Sequence, residues 1–199
     1  MTHAFHEIAF TDAVRQVQAE EGSAALWARH QGGPVTHDRL GRDEAAFLAE
    51  RDSFYLASVS ETGWPYMQHR GGPAGFVRVL DPARIGWAEF AGNRQYITTG
   101  NLRGNDRVSL FFMDYARKGR LKLFGRARVL APDDPALAAL VPDGTKARVQ
   151  RGLIVQIEGF EWNCPQHIPD RYSMENVQAA MGKMAARIAE LEAALAAKG

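Results

Sequence analysis

The chain has 199 residues, 46% of them hydrophobic, which is enough to bury a core as one domain, with or without an appendage. Its 24 basic and 23 acidic residues give a formal net charge of +1, which argues against a dedicated nucleic-acid binder because such proteins carry a strong positive excess. Cys164 is the only cysteine, which excludes an intramolecular disulfide and a cysteine metal cluster.

Hydropathy and the choice of basic residues narrow the class further. Nowhere do about 18 apolar residues run together, so the sequence predicts a soluble, cytoplasmic protein without a membrane or nucleic-acid partner. Only five of the basic residues are lysine. An arginine excess suits forked recognition of carboxylates or phosphates, and a GC-rich coding bias explains it equally well.

The first part of the chain, residues 1–52, is predicted to be a helical segment that packs on a barrel. Thr11 and Asp12 can cap a helix over residues 13–29, although Gly22 interrupts its pattern. Residues 31–36, QGGPVT, predict a loop, and a second short helix follows over residues 41–52.

From residue 53 to residue 165 the pattern changes to strands separated by short turns. Residues 54–60 and 64–70 predict a hairpin, and a second pair of strands flanks the turn at residues 81–83. A helix is predicted over roughly 93–103, followed by strands at the segments 106–114, 120–130 and 147–162. The connections are mostly too short for crossover helices, so six or more antiparallel strands predict a mainly β, α+β barrel.

The last part, residues 166–199, is predicted to be a loop followed by an amphipathic helix from about Ser173 to Lys198. Its apolar residues recur at spacings of three and four, as in a heptad seam: Met174, Val177, Met181, Met184, Ile188, Leu191 and Leu195. The helix either packs on its own barrel or pairs with its copy in a dimer, and the seam favours the dimer.

Several familiar sites are missing from the sequence. The glycines of residues 71–75 lack the Gly-Lys-Ser/Thr of a phosphate loop, and no dinucleotide, nucleophile-elbow or His-Glu-x-x-His motif occurs. Cys164 and His167 have the spacing of a metal pair, but no second pair accompanies them. They indicate a structural loop, so no metal site is predicted.

The candidate site instead lies where two strands end. Gln68, His69 and Arg70 close one strand, while Glu89 and Phe90 close another. If Asn93 is the N-cap of the next helix, Arg94 and Gln95 stand in its first turn, where free backbone N–H groups favour an anion. The alternative is that Arg94 is an ordinary exposed arginine.

These elements resemble the pyridoxamine 5'-phosphate oxidase-like family of FMN-binding split barrels. The resemblance covers about two-thirds of the chain and depends on the segments GWPYMQHRGG, GNRQY…NLRGNDRVSLFF and GRARVL, with the late EWNCPQHIP. It implies a homodimer of six-stranded antiparallel split barrels with flanking helices and with FMN in a cleft between the subunits.

The resemblance also implies roles for individual residues. The FMN phosphate would be held by Arg70 or its neighbours Gln68 and His69, and by Asn93, Arg94 and Gln95. Glu89 and Phe90 would lie against the ribityl chain or the ring, and Arg120 or Lys122 would face the pyrimidine edge. A donor at that edge stabilises the reduced, anionic flavin.

Departures from the true oxidase argue against pyridoxamine phosphate as the substrate. The segment NCPQHIPDRYSMENVQ replaces the C-terminal segment of the true oxidase, which carries a basic residue that helps to hold pyridoxal phosphate beside the flavin. The resemblance implies a place near the flavin for Trp162, but the residues around it do not match those of the oxidase. We therefore expect an FMN-dependent oxidoreductase with unassigned catalytic residues and substrate. A flavin carrier, or a binder of haem or a deazaflavin, is the alternative.

Overall fold

A computed structural model describes residues 1–28 and 32–197, and its chain divides into two compact units. One unit comprises Met1–Met113 with Arg120–Cys164, and the other comprises Asp114–Gly119 with the chain from Pro165 onward. The helices are α1 (Ala4–Ala9), α2 (Asp12–Glu20), α3 (Ala24–Ala28), α4 (Arg42–Ala49), α5 (Ile97–Gly104) and α6 (Met174–Ala196). The strands are β1 (Thr2–His3), β2 (Val35–Thr36), β3 (Ser53–Val59), β4 (Pro65–Gly71), β5 (Arg78–Asp81), β6 (Arg84–Phe90), β7 (Arg107–Asp114), β8 (Gly119–Leu130) and β9 (Val149–Trp162).

Seven strands form the main sheet, in the order β4-β3-β7-β8-β9-β6-β5. The family resemblance implies six, but each of the seven strand-like segments in the sequence contributes one. The predicted hairpins pair β3 with β4 and β5 with β6 in antiparallel register. The long strand β9 pairs antiparallel with both β6 and β8. The mainly antiparallel α+β architecture is confirmed.

The sheet curls around a large apolar core. Phe54 on β3 lies 5.0 Å from Trp87 on β6, measured between ring centroids, although three strands separate β3 from β6 in the sheet. Phe54 also stacks on Phe112 of β7 at 4.8 Å. Burying such side chains stabilises the fold by about 1.5–3 kcal/mol each, so the packing of these rings favours the curled, barrel-like sheet.

The N-terminal segment differs from the prediction in three ways. Residues 4–9 form helix α1, which the sequence analysis did not predict, and the helix predicted over residues 13–29 is wrong because it is broken into α2 and α3. Gly22, between them, has φ +72, a left-handed conformation that ends a helix; Arg29 lies outside the described residues. Val35–Thr36 is not loop but pairs with Thr2–His3 as a short parallel ladder, and Gln31 lies outside the described residues.

Helix α1 lies against the barrel. Phe5 is buried and stacks on Phe124 of β8 with 4.5 Å between ring centroids. A side chain at Gly159 of β9 would place its Cβ only 2.6 Å from the Phe5 nitrogen, so the absence of a side chain at Gly159 permits this close approach.

The C-terminal helix α6 has the predicted heptad seam. Ser173 caps it by accepting a hydrogen bond from the Asn176 nitrogen at 3.1 Å, and Lys198 lies outside the described residues. None of its residues is buried, and the seven apolar residues of the seam are 39–71% exposed. No helix in the described ranges is both long and apolar enough to span a bilayer.

Candidate functional site

The ends of β4 and β6, the start of α5 and the start of β9 surround a cavity of about 280 Å³, which we call the strand-end pocket. The sequence analysis had selected seven of its lining residues, namely Gln68, His69, Arg70, Glu89, Phe90, Asn93 and Arg94. The fold therefore brings residues 68–70 and residues 89–94 to the same pocket. The sequence analysis had grouped these two segments because each follows or ends a strand, and because of the family resemblance.

Charged side chains that line the pocket interact with one another. Arg70 Nη2 lies 2.9 Å from Glu89 Oε1, and the two side chains are 16% and 13% exposed. Glu89 Oε1 has no hydrogen-bond partner among the described residues. The contact with Arg70 is therefore a close ion pair whose geometry does not meet the angle of a hydrogen bond. Arg151 Nε approaches the other carboxylate oxygen at 3.9 Å, and its Nη1 donates to Thr99 Oγ1 at 3.0 Å.

Two buried donors in the wall of the pocket lack partners. Within residues 1–28 and 32–197, Arg70 Nε and Trp87 Nε1 are buried and have no hydrogen-bond partner. Buried polar groups are almost always hydrogen-bonded to protein, water or ligand. A polar ligand or ordered water in the pocket is the simplest way to satisfy them.

The loop that carries Arg94 is built differently from the prediction. Helix α5 begins at Ile97, so Asn93 is not its N-cap, and Arg94 and Gln95 are not in its first turn. Asn93 Oδ1 instead accepts a hydrogen bond from the Gln95 nitrogen at 3.2 Å, which closes a local turn. Tyr96 occupies the N-cap position and its side chain makes no capping hydrogen bond, so the helix has no side-chain cap.

The same loop contains unusual backbone conformations. Arg94 has φ +62 and Tyr96 has φ +53, in the left-handed region that residues with a Cβ rarely adopt. Their side chains nevertheless line the pocket. The turn at Asn93 and the hydrogen bond from Gln150 Nε2 to Tyr96 Oη, at 2.7 Å, hold this geometry in place.

The electrostatic character of the pocket is positive. Three arginines, Arg70, Arg94 and Arg151, line it together with the single carboxylate of Glu89. The hydrogen bond from Gln150 lowers the pKa of the Tyr96 phenol, and the nearby charges of Arg94 and Arg151 lower it further. The guanidinium of Arg151 also lies 4.7 Å from the centre of the Tyr96 ring. The pocket is therefore suited to an anion.

Three predicted residues lie elsewhere in the described structure. Gln95 does not line the pocket and contributes through its turn with Asn93. Arg120 donates a hydrogen bond from Nη2 to the Cys164 carbonyl oxygen. Lys122 Nζ pairs with Glu161 Oε2 at 2.6 Å. Contact of Arg120 or Lys122 with a flavin stays a prediction.

The sequence analysis missed part of the pocket. The missed polar and aromatic residues are Phe76, Trp87, Tyr96, Thr98, Thr99, Gln150 and Arg151. Arg151 stands directly opposite Glu89 in the β6–β9 register. Its place in the network depends on that long-range register, which alternation within β9 alone does not reveal.

The comparisons with known proteins agree with this architecture. Residues 42–158 match the family model described as pyridoxamine 5'-phosphate oxidase. HupZ of Group A Streptococcus is 17% identical, with a TM-score of 0.51 over 67% of this chain and 100% of that chain. An FMN-binding protein from Syntrophomonas wolfei subsp. wolfei is 12% identical, with a TM-score of 0.47 over 77% and 96% of the two chains.

A third solved structure is similar in the same way. A protein from Clostridium acetobutylicum, related to general stress protein 26, is 14% identical, with a TM-score of 0.46 over 68% of this chain and 94% of that chain. No curated protein sequence matches the chain. Of the three, only the HupZ structure has a TM-score above 0.5, and at 17% identity it is informative about the fold alone.

Proposed function

Because the chain belongs to the pyridoxamine 5'-phosphate oxidase family, we propose that it binds FMN in the strand-end pocket and acts as an FMN-dependent oxidoreductase. The observation that carries the proposal is the charge of the pocket, where three guanidinium groups accompany one carboxylate. That leaves a formal excess of two positive charges. A phosphate monoester carries about −1.5 to −2 at neutral pH, so the phosphate of FMN balances the excess.

The residues of the pocket fit the different parts of the cofactor. Arg94 and Arg151 present guanidinium forks, which match phosphate oxygens in charge-assisted hydrogen bonds. Trp87, Phe90 and Tyr96 supply aromatic surface in the same cavity. The unsatisfied nitrogen of Arg70 offers a further donor to a bound polar group.

The size of the pocket supports a shared site. Pockets that enclose a drug-sized ligand usually measure about 300–1,000 Å³, and the strand-end pocket measures about 280 Å³ in one chain. We infer that it holds the phosphate and part of the ribityl chain, while the ring extends to a second subunit in a homodimer. Pairing of the α6 seams, whose apolar residues are exposed in one chain, would bury apolar area and contribute to that dimer.

The flavin supplies hydride and electron transfer when it is bound. The residues of this chain bind its phosphate and orient it, and none of them is assigned as a general acid or base. His69 is exposed, with its ring edge-on to Tyr55 at 5.6 Å. We propose a small-molecule substrate other than pyridoxamine phosphate, because the C-terminal segment lacks the expected match to the true oxidase.

Titration of purified protein with FMN tests the proposal. We expect quenching or polarisation of flavin fluorescence at one FMN per chain, with weaker binding of riboflavin, haem and F420. Fluorescence that is unchanged by the protein contradicts the proposal. In a second, anaerobic step, bleaching of the bound flavin by NADH or NADPH supports an oxidoreductase. Binding without reduction by any donor tested favours a flavin carrier.

A further inference from the structure

A second group of side chains with metal-binding chemistry lies at the N-terminal end of the chain. His3 and His6 are 8% and 4% exposed, and the Glu161 side chain, at the end of β9, is 19% exposed. One ligand atom from each of the three residues lies within 4.8 Å of the other two. None of them lines the strand-end pocket, so this group is separate from that pocket.

Ring stacking and hydrogen bonds bring the side chains of the group together. The ring of His3 stacks between those of His6 and His37, with 3.8 Å between centroids on each side. Glu161 is held from both ends, because His6 Nε2 lies 2.7 Å from Oε1 and Lys122 Nζ lies 2.6 Å from Oε2. Because the rings of His3 and His6 are nearly parallel, one of them has to turn before a nitrogen of each points at the same ion.

We propose that His3, His6 and Glu161 bind a divalent transition metal ion, for which zinc is the best match. Two imidazoles and one carboxylate are an established zinc ligand set, with a water in the fourth position of a tetrahedron. Zinc–nitrogen bonds of about 2.0–2.1 Å set tetrahedral ligand atoms about 3.4 Å apart. The hydrogen bond between His6 and Glu161, now 2.7 Å, would therefore open by about 0.7 Å as the ion enters.

The two oxygens of the Glu161 carboxylate have different partners. Lys122 contacts Oε2, whereas Oε1 faces the histidine. Its positive charge reduces the attraction for a cation, and its hydrogen bond fixes the carboxylate, as a ligand's outer partner does.

The ion would join distant parts of one folded unit. His3 and His6 belong to β1 and α1, whereas Glu161 is near the end of the barrel strand β9. A bond through the metal would fasten α1 to β9 beside the existing contact of Phe5 with Phe124. Besides leaving a fourth position open for water, the ion would therefore stabilise the docking of the N-terminal segment.

The test uses full-length protein without an affinity tag, freed of metal with EDTA and of flavin by dialysis. Calorimetric titration with zinc chloride should give one zinc per chain, and zinc should raise the Tm reversibly. His6→Gln and Glu161→Gln should each weaken zinc binding at least about tenfold, since even outer-sphere changes cost 10- to 100-fold. His167→Gln, which removes an exposed histidine outside the cluster, is the matched control and should bind as the wild type does.

Absence of zinc binding by the wild-type chain overturns the proposal. So does wild-type affinity in His6→Gln and Glu161→Gln, or loss of zinc in the control. If the cluster variants do not fold, anomalous diffraction from wild-type crystals grown with zinc decides the question. The ion should lie about 2.0–2.2 Å from a nitrogen of each histidine and an oxygen of Glu161, and a position elsewhere refutes the assignment.

Discussion

Replacement of Arg94 by alanine separates phosphate recognition from support of the fold. Arg94 is exposed, in contrast to Arg70 and Arg151, which pair with Glu89. The substitution should therefore leave the free energy of unfolding nearly unchanged. A hydrogen bond to a charged group contributes about 1.5–3 kcal/mol, and solvent exposure reduces that to about 1–2 kcal/mol. The Kd for FMN should then rise roughly 5- to 30-fold.

The comparison with riboflavin makes this prediction specific. Riboflavin lacks the phosphate, so its Kd should change by less than about twofold, within the scatter of surface substitutions. Arg107→Ala removes the same charge from an exposed site outside the pocket and is the matched control. The difference between FMN and riboflavin should shrink in about 1 M salt, where the screening length is about 3 Å. Equal loss of both flavins in Arg94→Ala would refute placement of the phosphate beside Arg94.

Three other measurements probe the same architecture. In an absorbance titration, Tyr96 should ionise below the usual pH range of a phenol, because the hydrogen bond from Gln150 and the nearby arginines lower its pKa. Tyr96→Phe should abolish this step, and bound FMN should move it to higher pH. Glu89→Gln should lower the free energy of unfolding by about 1–3 kcal/mol in urea, since it breaks a largely buried ion pair, yet it should tighten FMN by removing a negative charge; weaker binding would contradict this. Deletion of residues 173–199 should lower the dimer fraction by light scattering if the α6 seams pair, and an unchanged mass would remove α6 from the interface.

The sheet was predictable because its alternation is local. In β8, Leu121 and Leu123 are fully buried, whereas Arg126 and Arg128 on the other face are exposed, and this period of two is legible in the sequence. Helix boundaries were less predictable. Tyr96, the N-cap of α5, has a left-handed conformation, which no propensity scale assigns to tyrosine. The predicted start of the helix was therefore three to four residues early.

The sites show the same division between local and long-range information. Polar residues at strand ends gave much of the strand-end pocket, because neighbouring strand ends meet in space. The partnership of Glu89 with Arg151 depends on the β6–β9 register, and that of His6 with Glu161 joins the two ends of the barrel chain. In the sequence, only the His3-x-x-His6 spacing indicates the group of His3, His6 and Glu161, and two histidines without a third ligand do not identify a metal site.

The strained backbone of the loop before α5 allows a test of whether that loop is adapted to bind a ligand. Left-handed conformations cost a residue with a Cβ about 1–2 kcal/mol, and Arg94 and Tyr96 both adopt them. Such strain persists where the surroundings fix it, and it concentrates at ligand-binding segments. Glycine at position 94 would relieve the strain. It would also increase the conformational entropy of the unfolded chain, which lowers the free energy of unfolding by about 0.4–1 kcal/mol.

Arg94→Gly should therefore raise the free energy of unfolding by about 0.5–1 kcal/mol, whereas Arg94→Ala keeps the strained backbone and should leave it unchanged. Both variants should weaken FMN to a similar extent, because both remove the guanidinium. Stability from urea denaturation and affinity from flavin fluorescence would then move in opposite directions in the glycine variant. That result would mean that the chain retains a strained arginine for its side chain, and equal stabilities in the two variants would show that the loop relaxes without cost.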